Sequence, residues 1–253
     1  MDESNSINVI LRTFKILETL FNSAEPMGIS AIAAELKLPK VSTFRILSTL
    51  CECGAIEKDS DDRYRLGLMF VRYGERVRSD ITIRSLAEPY LMKLRDITQE
   101  TVNLSILYEG YVINIASFSG ESFIITSRAL PLSPLYCSSS GKIFLAHMDQ
   151  GEIKDYFSVP RPKRTVRTIT TYDEFISERQ SILSLGISYD REEYEYGLYC
   201  IGAPVMGSDK KPVATISITG PSSRMELKGF DWLSKQVADN ANMLSRTLLE
   251  AQL

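Results

Sequence analysis

The sequence predicts an α+β chain: an N-terminal helical unit closed by a β-hairpin, a linker helix, and an antiparallel sheet with packed helices. Three observations lead to this fold class. Apolar residues recur at helical spacing within residues 8–50, a hairpin pattern follows at 55–66, and short β-rich runs joined by two-residue turns begin at residue 102. The 253 residues are enough for one or two ordinary domains.

Overall charge and hydropathy exclude whole classes of protein. The formal net charge of −3 rules out a protein that grips nucleic acid over its whole surface, but not a module with clustered cations. No apolar run approaches the roughly 20 residues of a membrane span. The acidic N-terminus lacks the basic and apolar regions of a signal peptide. A cytoplasmic protein without membrane contact is therefore expected.

Cysteine and histidine usage bears on catalytic and metal chemistry. Cys51 and Cys53 are too close for an easy disulfide and lack a second ligand pair for zinc. Together with Cys137 and Cys200 they are expected to be free thiols. His147 is the single histidine. Because metal sites and histidine-dependent hydrolases usually need more, the sequence predicts no metal, no cofactor and no catalytic residue.

Residues 30–50 predict two short helices separated by a tight turn. Ser30 is positioned to cap the first helix, and Pro39 to begin the second. Four residues of the second helix recur at inward-facing positions: Thr43, Ile46, Leu47 and Leu50. The outward positions fall to Lys40, Ser42 and Arg45. Small hydroxyls and cations at the start of such a helix are typical of a helix that enters a DNA major groove, the alternative being an ordinary helical hairpin in a core.

The elements on either side complete a recognisable unit. A first helix is predicted over Asn8–Asn22, with a broad apolar face, and residues 23–28 form a loop by composition. A hairpin is predicted with strands near Ala55–Lys58 and Arg63–Leu66, joined by a turn at Asp59–Asp62. Three helices followed by a hairpin make a winged helix-turn-helix, with the hairpin as the wing.

Cations are sparse in this unit for a DNA-binding module. Residues 1–80 hold 11 Lys and Arg against 12 Asp and Glu, and the wing tip carries three aspartates that would repel phosphates. The cations that can reach a DNA backbone are Lys37, Lys40, Arg45, Arg63 and Arg65. One such module should bind weakly, so we expect a dimer that pairs two modules across a two-fold DNA site.

An amphipathic linker helix is predicted over residues 68–80. It divides the chain into a winged helix-turn-helix domain at 1–67, the linker at 68–80, and an α+β domain at 81–253. In the last domain, a helix bent near Pro89 is predicted at 81–98. Strands are predicted at 102–108, 111–117, 122–127, 198–206 and 213–219, and helices at 143–147, 150–157, 172–185 and 228–249. Two-residue turns favour an antiparallel sheet, which Gly220 and Pro221 are expected to end.

Two features of this domain suit a ligand. Residues 137–142 open a helix whose free N–H groups favour an anion such as a carboxylate, the alternative being a plain serine-capped helix. Ser217 and Thr219 lie on one face of a strand, where they either bond neighbouring backbone or line a polar pocket. The acid-rich segment Tyr189–Gly197 is expected to be a solvated loop unless it serves a site.

Several motifs, in the same order, resemble the IclR family of bacterial transcription regulators. They are Leu38-Pro-Lys-Val-Ser-Thr-Phe-Arg-Ile-Leu47 in the recognition helix, Arg63-Tyr-Arg-Leu-Gly67 at the end of the wing, Leu135-Tyr-Cys-Ser-Ser-Ser-Gly-Lys-Ile-Phe-Leu-Ala146, Asp190-x-Glu-Glu-x-x-x-Gly-Leu-x-Cys-Ile-Gly-Ala-Pro-Val205, and Ser217-Ile-Thr-Gly-Pro221. Two departures stand out. Val41-Ser42-Thr43-Phe44 replaces the family's Ser-Thr-Val-His, so the operator sequence cannot be inherited from relatives, and Lys37 replaces the usual turn glycine.

The resemblance implies a winged-helix DNA-binding domain, a linker helix and an effector domain of GAF-like architecture, assembled as homodimers or homotetramers. It also implies that a small organic acid is bound by the loop of Ser139, Ser140 and Gly141 and by Asp190, Cys200, Ser217 and Thr219. A further likeness at 134–136 and 164–170 is to the branch that controls sugar-acid catabolism. A hydroxy or sugar acid would suit a helix start that holds its carboxylate and an ionised Asp190 that accepts bonds from its hydroxyls.

The expected function is therefore a ligand-responsive transcription regulator that binds double-stranded operator DNA and senses a small organic acid. An enzyme that uses the same pocket with Cys200 as nucleophile is the alternative. It is disfavoured because no histidine lies near Cys200 in the sequence, and a nearby Asp190 would raise the pKa of the thiol. These sequence features are compatible with both repression and activation.

Overall fold

The computed structural model describes residues 7–79, 82–120 and 132–251. By its internal contacts the chain divides into two compact units, Met1–Asp80 and Ile81–Leu253. The strand predicted at 122–127 lies outside the described residues. The three-part division at residues 67 and 80 stays a prediction.

The N-terminal unit has the predicted three helices and wing. Its elements are α1 Asn8–Asn22, β1 Met27–Gly28, α2 Ile29–Glu35, α3 Lys40–Glu52, β2 Ile56–Lys58, β3 Arg63–Leu66 and α4 Met69–Ser79. Within the described residues, the three strands form one antiparallel sheet in the order β1-β3-β2. The four inward positions of α3 are buried, as predicted, and pack against Ile16, Ile32 and Tyr64.

The start of α2 differs from the prediction. Met27 and Gly28 are extended and pair with Tyr64 and Arg63 of β3, so the helix begins at Ile29. Gly28 is the N-cap, and no side chain caps the helix. Ser30 therefore lies within the first turn, exposed to solvent, and the predicted cap at Ser30 is wrong. The tertiary pairing of the preceding loop, which has no local sequence signal, sets this boundary.

The C-terminal unit is an antiparallel sheet with helices on both faces. Its elements are α5 Thr82–Thr98, β4 Thr101–Tyr108, β5 Tyr111–Phe118, β6 Leu132–Pro134, α6 Ser139–Ala146, α7 Gln150–Ser158, α8 Tyr172–Leu185, β7 Ser188–Arg191, β8 Leu198–Met206, β9 Pro212–Pro221, α9 Ser222–Lys228 and α10 Phe230–Glu250. In the part of the chain that is described, six strands pair in the order β6-β5-β4-β9-β8-β7.

Five features of this unit differ from the prediction. Strands β6 and β7 and helix α9 had no prediction, and α6 begins four residues before the predicted Ile143 because Ser138 caps it. Gly220 and Pro221 still pair with Tyr199 and Leu198 of β8, so β9 ends at Pro221, two residues later than the predicted Thr219. A proline is tolerated at a strand end where its missing N–H is not needed.

The two faces of the sheet differ in polarity. One face is apolar and packs against α5 and α10, with Leu104, Ile201 and Ile218 fully buried in that core. The other face is contacted by α6, behind which α7 and α8 pack. Because side chains alternate along a strand, residues two apart share a face, and this alternation positions the site described below.

Replacing Ile218 with alanine should lower the free energy of unfolding of the C-terminal unit by about 2–5 kcal/mol, because it leaves a cavity in the apolar core. The chain has a single tryptophan, Trp232 in α10, so its fluorescence during urea titration reports on this unit. Val213→Ala, on the same strand but exposed, is the matched control and should change little. Equal losses in the two variants would contradict this placement of the core.

Candidate DNA interface and effector site

The outward face of α3 carries two of the predicted DNA contacts. Lys40 and Arg45 are exposed, as are Val41 and Phe44 between them. Ser42 is half-buried, and its hydroxyl donates to the carbonyl of Pro39 at 2.9 Å, so this side chain is bonded to the backbone of its own helix. Lys37 lies exposed in the turn before α3 with φ of 52°, the left-handed conformation that glycine adopts most readily.

An arginine of α1 joins this surface. A groove of about 380 Å³ between α1 and α3 is lined by Arg12 and Arg45, with Thr13, Ser42 and Thr49 beside them. Two guanidiniums in one groove suit a phosphate. Arg12 was not among the predicted contacts, because α1 was interpreted only through its apolar residues. The available signal was a cation on an otherwise apolar helix face.

The wing carries fewer free cations than predicted. Arg63 pairs with Asp59 and Asp61, each at 3.1 Å, and Arg65 pairs with Glu57 at 2.9 Å. Asp59 also accepts from the backbone N–H groups of Arg63 and Asp61, and these bonds lower the pKa of its carboxyl. Exposed pairs of this kind are weak, so phosphate can replace them, but the wing's net attraction for DNA is reduced.

The predicted effector residues of the sheet come together on its polar face. Asp190 pairs with Cys200 across β7 and β8, and Cys200 pairs with Thr219 across β8 and β9, so the three side chains form one row. The hydroxyl of Thr219 lies 3.4 Å from the Cys200 sulfur. Ser217 lies on the same face of β9, two residues before Thr219, and pairs with Gly202 of β8.

The start of α6 lies over this row. A Cβ built on Gly202 would stand 3.2 Å from Ser139 Oγ, which puts the helix start directly against β8. Ser139 and Ser140 are both buried. The structure thus brings Ser139 and Ser140 to the same polar face as Ser217, and this proximity is what a pocket requires.

Gly141 has a different role from the predicted one. Its N–H donates to Ser138 Oγ at 3.1 Å, so it is not free for an anion. A Cβ on Gly141 would stand 2.5 Å from Leu135 Cα, so this position requires glycine for close packing. Ser138 itself donates to the carbonyl of Pro134. Among the described contacts, the N–H groups left for a ligand at this helix start are those of Ser139 and Ser140.

The carboxyl of Asp190 is buried and only partly ionised at neutral pH. It accepts from the N–H groups of Glu193 at 2.7 Å and Tyr194 at 3.2 Å. Burial, followed by the nearby charge of Glu193, raises its pKa to about 7. The ionised Asp190 expected from the sequence is therefore only part of the population at neutral pH. Its protonated form can donate a hydrogen bond to a ligand carboxylate, and its ionised form can accept from a hydroxyl.

A buried ion cluster supports this loop. The ammonium of Lys142 in α6 is fully buried and lies 2.6 Å from Glu193 Oε1 and 2.9 Å from Glu178 Oε2 of α8. Burial raises the pKa of Glu193, and Lys142 opposes that shift. The segment 189–197 is consequently anchored by these contacts. It is not the solvated loop that was one of the two alternatives expected from the sequence. The lysine–glutamate pair joins residues far apart in the chain, so no local pattern indicated it.

Further polar residues on the same face were not predicted. Asn103 and Ser105 of β4 alternate with apolar neighbours, and Asn103 Nδ2 lies 3.5 Å from the Thr219 hydroxyl. Ser188 Oγ and Thr215 Oγ1 are buried and, among the described residues, have no hydrogen-bond partner. For Asn103 and Ser105, the available sequence signal was the period-two alternation of β4. Buried hydroxyls without partners are typical of a pocket that a polar ligand or water fills.

The alternative of a cysteine nucleophile is disfavoured by the electrostatics. Burial, followed by the charge of Asp190, raises the pKa of the Cys200 thiol well above its usual value. Burial also raises the pKa of Cys137 to about 12. A reactive cysteine requires a lowered pKa. All four cysteines are free thiols, as predicted, and the described residues hold no group of side chains that could bind a metal ion.

Asp190→Asn should remove a pH dependence of stability. Because its pKa in the folded protein is about 7 against an ordinary 3.8, the stabilising proton is held below pH 3.8 and lost as the pH rises to about 7. The free energy of unfolding should fall over that range by up to about 1.4 kcal/mol per pH unit, and Asp190→Asn should be flatter. Trp232 fluorescence in urea between pH 5 and pH 8 measures this. Exposed Asp173→Asn is the control, and equal slopes in wild type and Asp190→Asn would contradict the assignment.

The chain is similar to known bacterial transcription regulators over most of its length. The model of the bacterial transcriptional regulator IclR C-terminal domain matches residues 76–246, and the model of the IclR helix-turn-helix domain matches residues 9–60. The HTH-type transcriptional regulator KdgR of Escherichia coli is 28% identical over 225 residues, which cover 88% of this chain and 85% of KdgR. The DNA-binding transcriptional repressor YiaJ of Escherichia coli is 28% identical over 245 residues, covering 94% of this chain and 87% of YiaJ.

A solved structure agrees with these matches. The crystal structure of the Thermotoga maritima IclR is similar with a TM-score of 0.74 at 28% identity, over 96% of this chain and 99% of that one. Among the described residues, no helix is long and apolar enough to cross a membrane. Both units and their order match, so the predicted resemblance is confirmed. This chain belongs to the IclR family, as a transcriptional regulator with a helix-turn-helix DNA-binding domain and a C-terminal effector-binding domain.

Proposed function

We propose that this protein represses transcription by binding operator DNA as a homodimer or homotetramer, and that a small organic acid in its C-terminal domain alters that binding. Repression is supported by the similarity to YiaJ, a repressor. The observation that carries the effector proposal is the row of Asp190, Cys200 and Thr219 facing the start of α6. Control by a ligand needs different affinities for two states, typically about 1–3 kcal/mol of coupling.

The proposed DNA contacts are Lys37, Lys40, Ser42, Arg45, Arg63 and Arg65, to which we add Arg12. The exposed cations near α3 support this role because they can approach a phosphate backbone without losing a partner in the domain. The wing arginines contribute less, since each already pairs with a carboxylate. Two-fold pairing of such domains supplies the affinity that one lacks. Because the partner is chromosomal DNA, we expect the protein to work in the cytoplasm.

The proposed effector is a hydroxy or sugar acid. The N–H groups of Ser139 and Ser140 at a helix start suit its carboxylate, and the protonated fraction of Asp190 can donate to it as well. The hydroxyls of Ser217 and Thr219 suit a ligand with hydroxyls of its own. We further propose that the protein performs no catalysis, which the raised pKa of the Cys200 thiol supports.

Lys40→Ala should weaken DNA binding mainly by removing one phosphate contact. With DNA flanking the protein's own gene as probe, log affinity should fall linearly with log salt, with a slope of about −0.9 for each phosphate contact. The variant should reduce that slope by about one unit, and Lys154→Ala, exposed in the other unit, should not change it. A slope in wild type close to zero would refute the DNA-binding proposal.

A panel of small carboxylic, hydroxy and sugar acids should contain compounds that raise the Tm of the full-length protein, since a ligand stabilises the state that it binds. For the best compound, Ser217→Ala should weaken binding about three- to tenfold by removing one hydrogen bond. Ser208→Ala, an exposed turn residue, is the matched control. Isothermal titration calorimetry gives the affinities, and equal affinity in Ser217→Ala and wild type would exclude this face of β9.

A further inference from the structure

Helix α3 presents an apolar surface where a polar reading surface was expected. The side chain of Val41 is 76% exposed and that of Phe44 is 53% exposed. At about 100° per residue, Val41 lies opposite the buried face of α3, and Phe44 follows one turn later on the same side. Exposed apolar side chains are common singly, but these two are neighbours near the N-terminal end of the recognition helix.

Two hydroxyls of α3 outside its buried face are used within the helix. Ser42 donates to the carbonyl of Pro39 at 2.9 Å. Thr49 donates to the carbonyl of Arg45 at 3.0 Å. Hydroxyls bonded in this way do not donate to base edges. Apart from Ser42, whose hydroxyl can still accept a hydrogen bond, the outward contacts at the start of α3 are the two apolar side chains and the cations next to them.

The charge around the two side chains selects their partner. No acidic residue occurs from Leu36 to Cys51 in the sequence, while Lys37, Lys40 and Arg45 are exposed around the patch. A cationic rim around an apolar centre is complementary to a DNA groove, whose walls are phosphates. In the major groove of unmodified DNA, the apolar group on a base edge is the C5 methyl of thymine.

We propose that Val41 and Phe44 contact thymine methyl groups, and that the operator half-site carries thymine at the base pairs that they face. This inference rests on the proposed DNA binding and adds the base that is read. Lys40 and Arg45 position the helix by binding phosphates, which carry no sequence information, and the apolar pair supplies the discrimination. The family's recognition motif differs at these positions, so the proposed recognition of thymine depends on residues particular to this chain.

The test begins with duplexes selected from a random library by the full-length protein. Each half-site thymine is then replaced by deoxyuridine, which lacks only the methyl group. We expect replacement at the facing positions to weaken binding about fourfold for each methyl group, the effect of one buried methyl. Replacements outside the half-site should change nothing. Fluorescence anisotropy at fixed salt measures each affinity.

Variants assign the contact to the side chains. Val41→Ala and Phe44→Ala should each weaken binding to the thymine duplex, and each should lose its sensitivity to deoxyuridine at one position. Val159→Ala, an exposed valine in the other unit, is the control. Both α3 residues are exposed, so an unchanged Tm shows that the variants fold. If deoxyuridine changes the affinity at no position while binding still depends on salt, this inference alone is overturned. Failure to enrich any duplex would overturn the DNA-binding proposal and this inference together.

Discussion

The buried ammonium of Lys142 is the constraint on which the candidate effector site depends. An ion without water is tolerated only beside close partners, because breaking a buried pair destabilises a protein by about 3–5 kcal/mol. Glu193 and Glu178 supply those partners from the loop after β7 and from α8. Helix α6 is thereby held to both, and the serines at its start keep their position over the sheet. The same pairing holds the loop in which Asp190 bonds to two backbone N–H groups.

The sheet beneath α6 adds a second constraint. Its apolar face is sealed by α5 and α10, whereas Asp190, Cys200 and Thr219 lie on the face toward α6. That helix approaches closely only because Gly202 leaves room for Ser139, and Gly141 leaves room for the backbone of Leu135. The close approach of Ser139 to the polar face of the sheet follows from Gly202 and the strand register.

Local signals account for the elements that were predicted well. Helices Asn8–Asn22 and Tyr172–Leu185 and strand Leu198–Met206 begin and end at the predicted residues. For α8 the reason is visible, since Thr171 and Glu174 form a capping box and Gly186 ends the helix in the left-handed conformation. Strands β1, β6 and β7 are two to four residues long, too short for a period of their own, and exist through pairing with neighbours.

The candidate site divides in the same way. Motif resemblance identified Asp190, Cys200, Ser217 and Thr219, and period-two alternation put the last two on one face. Ionisation of Asp190 could not be predicted, because it depends on burial by residues distant in sequence. The bonds of Arg63 to Asp59 and of Ser42 to the Pro39 carbonyl could not be predicted either, because the partner that a side chain binds depends on the folded geometry.

The apolar pair on α3 also determines how much ordering DNA binding requires. A valine within a helix occupies essentially one χ1 rotamer, and a phenylalanine has only two side-chain torsions. Lysine and arginine lose far more rotamer freedom when they are fixed against a ligand. Val41 and Phe44 thus have few side-chain conformations to lose, so the proposed contact with a DNA groove would cost little conformational entropy.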